Sequence, residues 1–156
     1  NDIITNRIIT VTKSGNNISD YNDLSGKKLA VVTDIAKAAL DKNSTIKNNN
    51  KNTLYPTIED ALSALDNGSV DAVITDEFNF SPLENAEKYQ VLNGELDKIS
   101  YAFMFKKGDW VVENWNEAIY ELKSPDYNDK DEFTPMVEKY FGYNASSFDY
   151  VPSKTK

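Results

Sequence analysis

Two stretches of the chain end in the same pair of residue types. Thr33-Asp34 closes an apolar run that starts at Leu29, and Thr75-Asp76, followed by Glu77, closes a run that starts at Ala72. A carboxylate at a strand end can receive an ammonium group, and a threonine hydroxyl can donate or accept. The backbone N–H groups that open a helix hold anions, because the helix dipole is positive there. These are binding chemistries. The chain contains no histidine and no cysteine. The usual base near neutral pH, thiolate nucleophiles, disulfides and the commonest metal ligands are therefore excluded. Acid–base work would fall to Asp34, Asp76 and Glu77 alone. The candidate ligand-binding residues are Thr33, Asp34, Ile35, Asp76 and Glu77; no catalytic residue, metal site or cofactor is expected.

The elements that would position them are legible. Leu29 to Thr33 reads as a buried strand running into a helix from Ile35 to about Lys42, with Asp34 as its N-cap. Thr57-Ile-Glu-Asp60 resembles a capping box with Asp in the Glu position. It opens a helix that carries Ile58, Ala61, Leu62 and Leu65 on one stripe and closes at Asn67-Gly68. The strand Ala72 to Thr75 follows. Strand, helix, strand, helix, strand implies a parallel-centred α/β sheet with flanking helices. In such sheets the ligand crevice lies beyond the carboxyl ends of the strands. Each sharp reading has a plain rival: Asp34 as a cap only, Asp76-Glu77 as solvated loop acids, Phe78, Phe80 and Tyr101 as packing.

Elsewhere, residues 3–12 are β-branched and read as a strand. Asn43 to Asn52 reads as a solvated surface loop. Leu83 to Lys88 reads as a short helix and Tyr89 to Leu92 as a short strand. Tyr101 to Lys106 reads as a strand and Trp110 to Lys123 as the longest helix. A last helix starts at Thr134-Pro135 and ends at Phe141 before Gly142. The acidic loop Ser124 to Asp131 lacks the spacing of a calcium-binding loop. The 156 residues carry 40% hydrophobic and 27% charged side chains, the mix of a soluble globular chain. A net charge of -8 excludes the basic face that nucleic-acid binding needs.

Several motifs, in order, resemble one family. Asp23-Leu-Ser-Gly-Lys-Lys-Leu-Ala-Val-Val is similar to the entry into the second lobe of the extracellular, periplasmic-type solute-binding proteins of polar amino-acid ABC transporters. Ala61-Leu-Ser-Ala-Leu-Asp-Asn-Gly-Ser-Val-Asp-Ala-Val-Ile-Thr-Asp76 is similar to the family's most recognisable stretch. Ala102-Phe-Met-Phe-Lys-Lys-Gly-Asp109 resembles the return strand through the hinge. Asn116-Glu-Ala-Ile-Tyr-Glu-Leu-Lys123 and Glu138-Lys-Tyr-Phe-Gly142 resemble the closing helices. The resemblance covers residues 5 to 142 and implies a type II periplasmic-binding-protein-like lobe whose first lobe is largely missing. Residues 13–100 would be the second lobe, 1–12 and 101–142 hinge and first-lobe remnants, and 143–156 a tail.

By that resemblance Asp76 matches the acid that receives a ligand α-amino group. The family's Gly-Thr segment, which holds the ligand carboxylate, is here Val32-Thr-Asp-Ile-Ala36, so Asp34 occupies the anion position. The implied function is capture of a small polar solute, an amino acid or amine-bearing compound, for the membrane subunits of an ABC transporter. The implied location is the extracellular face of a bacterial membrane or the periplasm, as an exported lipoprotein. Two alternatives are a sensing or structural domain whose site has decayed and a small-acid dehydratase on the same fold. With the first lobe missing, strands 3–12 and 101–106 and the Trp115 helix would expose apolar surface, and a homodimer or strand exchange is expected there.

Overall fold

The computed structural model describes residues 4–123 and 133–141. The chain divides into two compact units, one from Asn6 to Ile99, the other formed by the residues before Asn6 and those from Ser100 on. The first unit holds most of a six-stranded sheet: β1 (Ile4–Lys13), β2 (Lys28–Val32), β3 (Lys51–Tyr55), β4 (Ala72–Asp76), β5 (Tyr89–Val91) and β6 (Asp97–Tyr101). The strand order is β3-β2-β4-β1-β5, with β6 also paired to β1. Its helices are α1 (Asp34–Lys42), α2 (Ser44–Asn49), α3 (Ile58–Asp66) and α4 (Glu77–Phe80).

β2 pairs with β3 and with β4 in parallel, which gives the parallel centre that the alternation of strands and helices implies. β1 runs antiparallel to β4, with Ile8 opposite Asp76 and Ile9 opposite Thr75. Side chains alternate across a strand. Leu29 and Val31 therefore join one buried cluster with Ile8, Ile74, Ala36 and Leu40 of α1. Ala30 and Val32 join the other with Ile9, Val73 and the apolar stripe of α3. Both faces are covered, so β2 and β4 read as continuous apolar runs. Thr57 caps α3 by accepting from the Asp60 N–H at 3.1 Å. Gly68, at φ 78°, ends α3 in the left-handed conformation that suits glycine.

Several expectations are corrected. Asn43 to Asn52 is not a loop but contains α2 and the start of β3. Three of its asparagines bond the chain: Asn43 Oδ1 accepts from Ile46 N at 3.2 Å, Asn50 Nδ2 donates to Ile46 O at 2.7 Å and Asn52 Nδ2 donates to Lys47 O at 2.8 Å. The helix expected over 83–88 is a single 3₁₀ turn at Ala86–Lys88, and an earlier helical turn, α4, forms because Asp76 caps it. The strand expected at 101–106 ends at Tyr101. β1 is not an open edge, since it pairs with strands on both sides, and its Ile8, Ile9 and Val11 are buried in the two clusters.

The second unit contains α5 (Val111–Lys123) and α6 (Phe133–Phe141). Phe103 and Phe105 gather on Trp115, with ring centroids 4.8 and 6.2 Å away, instead of extending a strand. Ile119 is buried, but Trp115 is 38% exposed, so the α5 stripe is only partly core. The loop 124–131 and the tail 143–156 lie outside the described residues.

Candidate functional site

The three parallel strands end at one edge of the sheet, and each is followed by a helix start. Thr33 follows β2, Thr57 lies just past β3, and Asp76 closes β4; these three residues are the N-caps of α1, α3 and α4. Register pairs Val31 with Ile74, so Thr33 and Asp76 lie two residues further along neighbouring strands. Strands in a sheet lie about 4.8 Å apart. Thr33 and Asp76 therefore lie at the carboxyl ends of neighbouring strands.

The cap of α1 is Thr33 rather than Asp34. Thr33 Oγ1 accepts from the Ala36 N–H at 3.2 Å, and Asp34 is the first helical residue, exposed. The one-residue shift follows from geometry, since the cap must lie outside the helix with its oxygen turned back on the first turn. Thr33 is also the only non-glycine residue with positive φ among the described residues, at φ 77° and ψ 148°. That region is essentially reserved for glycine, and a β-branched residue there stores strain. Ile35 is half-buried and packs on the α1-side cluster.

Asp76 is 3% exposed, and its carboxylate takes three hydrogen bonds from within its own unit. Its Oδ1 accepts from Asn6 Nδ2 at 3.1 Å and from the Asn79 N–H at 3.2 Å, and its Oδ2 accepts from Asn79 Nδ2 at 2.7 Å. Asn6 Oδ1 in turn accepts from the Phe78 N–H at 3.3 Å. Glu77 forms a two-point ion pair with Arg7, whose Nε donates at 2.9 Å and whose Nη2 donates to the second carboxylate oxygen. The Glu77 carboxylate is 9% exposed and the Arg7 side chain 34%.

The sheet thus places Thr33 and Asp76 at the ends of neighbouring parallel strands. Asp34 stands exposed next to Thr33, Glu77 is held by Arg7, and Ile35 serves packing. Sequence reasoning missed Asn6, Arg7 and Asn79, which orient the two acids. A signal was present: Asn6-Arg7 interrupts an otherwise β-branched run. Among the described residues no group of three or more acidic side chains is placed to hold a metal ion.

No family model and no curated protein matches the sequence. Solved structures do match. The second substrate-binding domain of a putative amino acid ABC transporter from Streptococcus pneumoniae is 26% identical, with a TM-score of 0.68 over 90% of this chain and 63% of its own. An ABC uptake transporter substrate-binding protein from Streptococcus pneumoniae with bound histidine is 26% identical, with a TM-score of 0.64 over 92% of this chain and 61% of its own. A polar amino acid ABC uptake transporter substrate-binding protein from Streptococcus thermophilus is 23% identical, with a TM-score of 0.71 over 92% of this chain and 56% of its own. The chain therefore spans less than two thirds of the structures it matches. In fold it is similar, over nine-tenths of its length, to the substrate-binding proteins of amino-acid ABC transporters, as a partial lobe of the periplasmic-binding-protein-like type.

Proposed function

We propose that this chain is the second-lobe part of the substrate-binding component of an ABC transporter, taking a polar amino acid or another amine-bearing solute. The observation that carries the reading is Asp76: a buried carboxylate at the ligand edge of a parallel sheet, oriented by Asn6 and Asn79 beside the start of α1. An ammonium group would approach Asp76, and the N–H groups behind Thr33 would meet polar oxygens of the same solute. Closure of a first lobe over this edge would signal occupancy to the membrane subunits. Export to the extracellular face or periplasm, with a lipid anchor, and the division of the chain into second lobe, hinge and first-lobe remnants belong to the same proposal. So does self-association through the exposed Phe103, Met104 and Trp110.

A second reading is a sensing or structural domain whose site has decayed. It is favoured by Asp34, which places a negative charge where a ligand carboxylate would sit, and by the donors that already occupy Asp76. An NMR amide-shift titration with amino acids and diamines separates the two. Saturable shifts at 33–36 and 76–79 that vanish in Asp76→Asn support capture, since asparagine preserves the cap. No shift at tens of millimolar, or shifts indifferent to Asp76→Asn, would sink the capture reading.

A further inference from the structure

We propose that the cleft between the 3₁₀ turn Tyr21–Leu24 and α2 is a separate binding site for a neutral polyhydroxylated ligand, a sugar of one or two rings. It lies where β2 and β3 begin, at the opposite end of the parallel strands from Thr33 and Asp76. The proposal does not depend on the transport reading.

The cleft is open to solvent on one side and offers about 470 Å³, within the range of small-molecule sites. No charged residue lines it, although 27% of the chain is charged. A zwitterion or a phosphate would find no counter-charge there. The lining instead supplies exposed amides and hydroxyls: the side chains of Asn22, Ser25, Thr45 and Asn49 face solvent and make no hydrogen bond to another described residue. Each amide or hydroxyl can both donate and accept, which is what adjacent hydroxyls on a sugar ring require. The apolar part of the lining is Tyr21 and the buried Ile46. The Tyr21 hydroxyl is itself buried, so the cleft meets ring carbon rather than oxygen. A sugar ring has the same two characters, polar edges and an apolar C–H face.

Both walls are pre-set. In the turn, Asp20 accepts from the Asn22 N–H at 2.7 Å and Asp23 accepts from Ser19 N and Oγ at 2.9 and 3.0 Å. The α2 wall is tied to the segment after the turn by Gly26 N–H donating to Asn49 O at 3.0 Å and Lys27 N–H donating to Asn50 Oδ1 at 2.9 Å. Binding would therefore order little chain, which lowers its entropic cost.

The test is an amide-shift titration of the full chain with glucose, galactose, N-acetylglucosamine and maltose, with arginine and sulfate as charged comparisons. Saturable shifts confined to 21–25 and 45–50 are expected for at least one sugar. The Asn22→Ala/Asn49→Ala variant should bind that sugar about 10-fold more weakly, the loss of two ordinary hydrogen bonds. Thermal unfolding of that variant checks the fold, because the Asn49 bond to Gly26 uses the backbone alone; Thr45→Val gives a second, independent truncation. Three results would overturn the proposal: no saturation with any of these sugars, equal shifts with arginine or sulfate, or sugar shifts unaltered in both folded variants.

Discussion

Replacing Thr33 by glycine should stabilise this protein, although it deletes a helix cap. Thr33 holds φ 77° and ψ 148°, a conformation from which Cβ is normally excluded. Such strain costs about 1–3 kcal/mol. Glycine removes it, but gives back about 0.5–1 kcal/mol through the greater freedom of the unfolded chain. Loss of the Thr33 Oγ1 bond to Ala36 N–H costs only a few tenths more, roughly the difference between threonine and glycine as caps. With central values the balance is a gain of about 1 kcal/mol, or roughly 4 °C in Tm. Alanine keeps the Cβ and loses the cap, so Thr33→Ala should lose about 1 kcal/mol. The two variants should therefore differ by about 2 kcal/mol in urea unfolding. If glycine fell below wild type, or matched alanine, strain at Thr33 would not be what distinguishes this helix start.

Arg7→Leu removes the partner of a nearly buried Glu77 and should cost about 1–3 kcal/mol, less than a fully buried pair because Arg7 is a third exposed; urea unfolding reads this, and no loss would mean that water replaces the guanidinium. Burial, above all, raises the pKa of Tyr21; the Thr10 hydroxyl pulls the other way, although the two oxygens do not meet in hydrogen-bond geometry. A raised phenol pKa means that the unfolded chain loses its proton first, so stability should fall as pH climbs past 10. Tyr21→Phe should flatten that alkaline loss in thermal melts taken from pH 8 to 11, and an unchanged slope would acquit Tyr21. On the acid side, hydrogen bonds from Ser19 lower the pKa of Asp23, so its stabilisation is present above pH 3.8 and fades as pH falls below it; Asp23→Asn should reduce that acid dependence. Asp34→Asn should strengthen binding of any solute carboxylate at α1 by about 5-fold at low salt and less at high salt, since it removes an exposed like charge.

Where local chemistry and burial agreed, the sequence was enough. β2 and β4 are apolar runs covered on both faces, and the α3 stripe is bounded by Thr57 and Gly68. These elements were readable because no tertiary contact had to override them. Asparagine misled in two opposite ways. In 43–52 a run of polar residues looked solvated, yet Asn43, Asn50 and Asn52 satisfy backbone groups of α2 and its exit, and Ile46 anchors the helix. In β1, Asn6 looked like an ordinary strand residue, yet it is 2% exposed and holds Asp76 across 70 positions of sequence. Contacts of that separation leave no periodic trace. The alternating aromatics at 101, 103 and 105 read as one strand, yet only Tyr101 lies in β6, while the rings of Phe103 and Phe105 are used by Trp115.

The hydrogen bonds at Asp76 limit what the strand-end site can do by itself. The carboxylate already takes three donors from Asn6 and Asn79, so its acceptor capacity leaves room for about one more. One hydrogen bond to a charged group contributes about 1.5–3 kcal/mol. That contact alone corresponds to a dissociation constant no tighter than several millimolar, since 1 mM requires about 4.1 kcal/mol. The orienting bonds still matter, because they hold the oxygens in place before a ligand arrives and so reduce what binding must order. A site that is oriented but short of contacts gains most from a second surface closing over it, which would supply further bonds and exclude the water that screens them. On the proposed function, weak capture by this chain alone and strong dependence on a facing lobe would therefore be two consequences of the same arrangement.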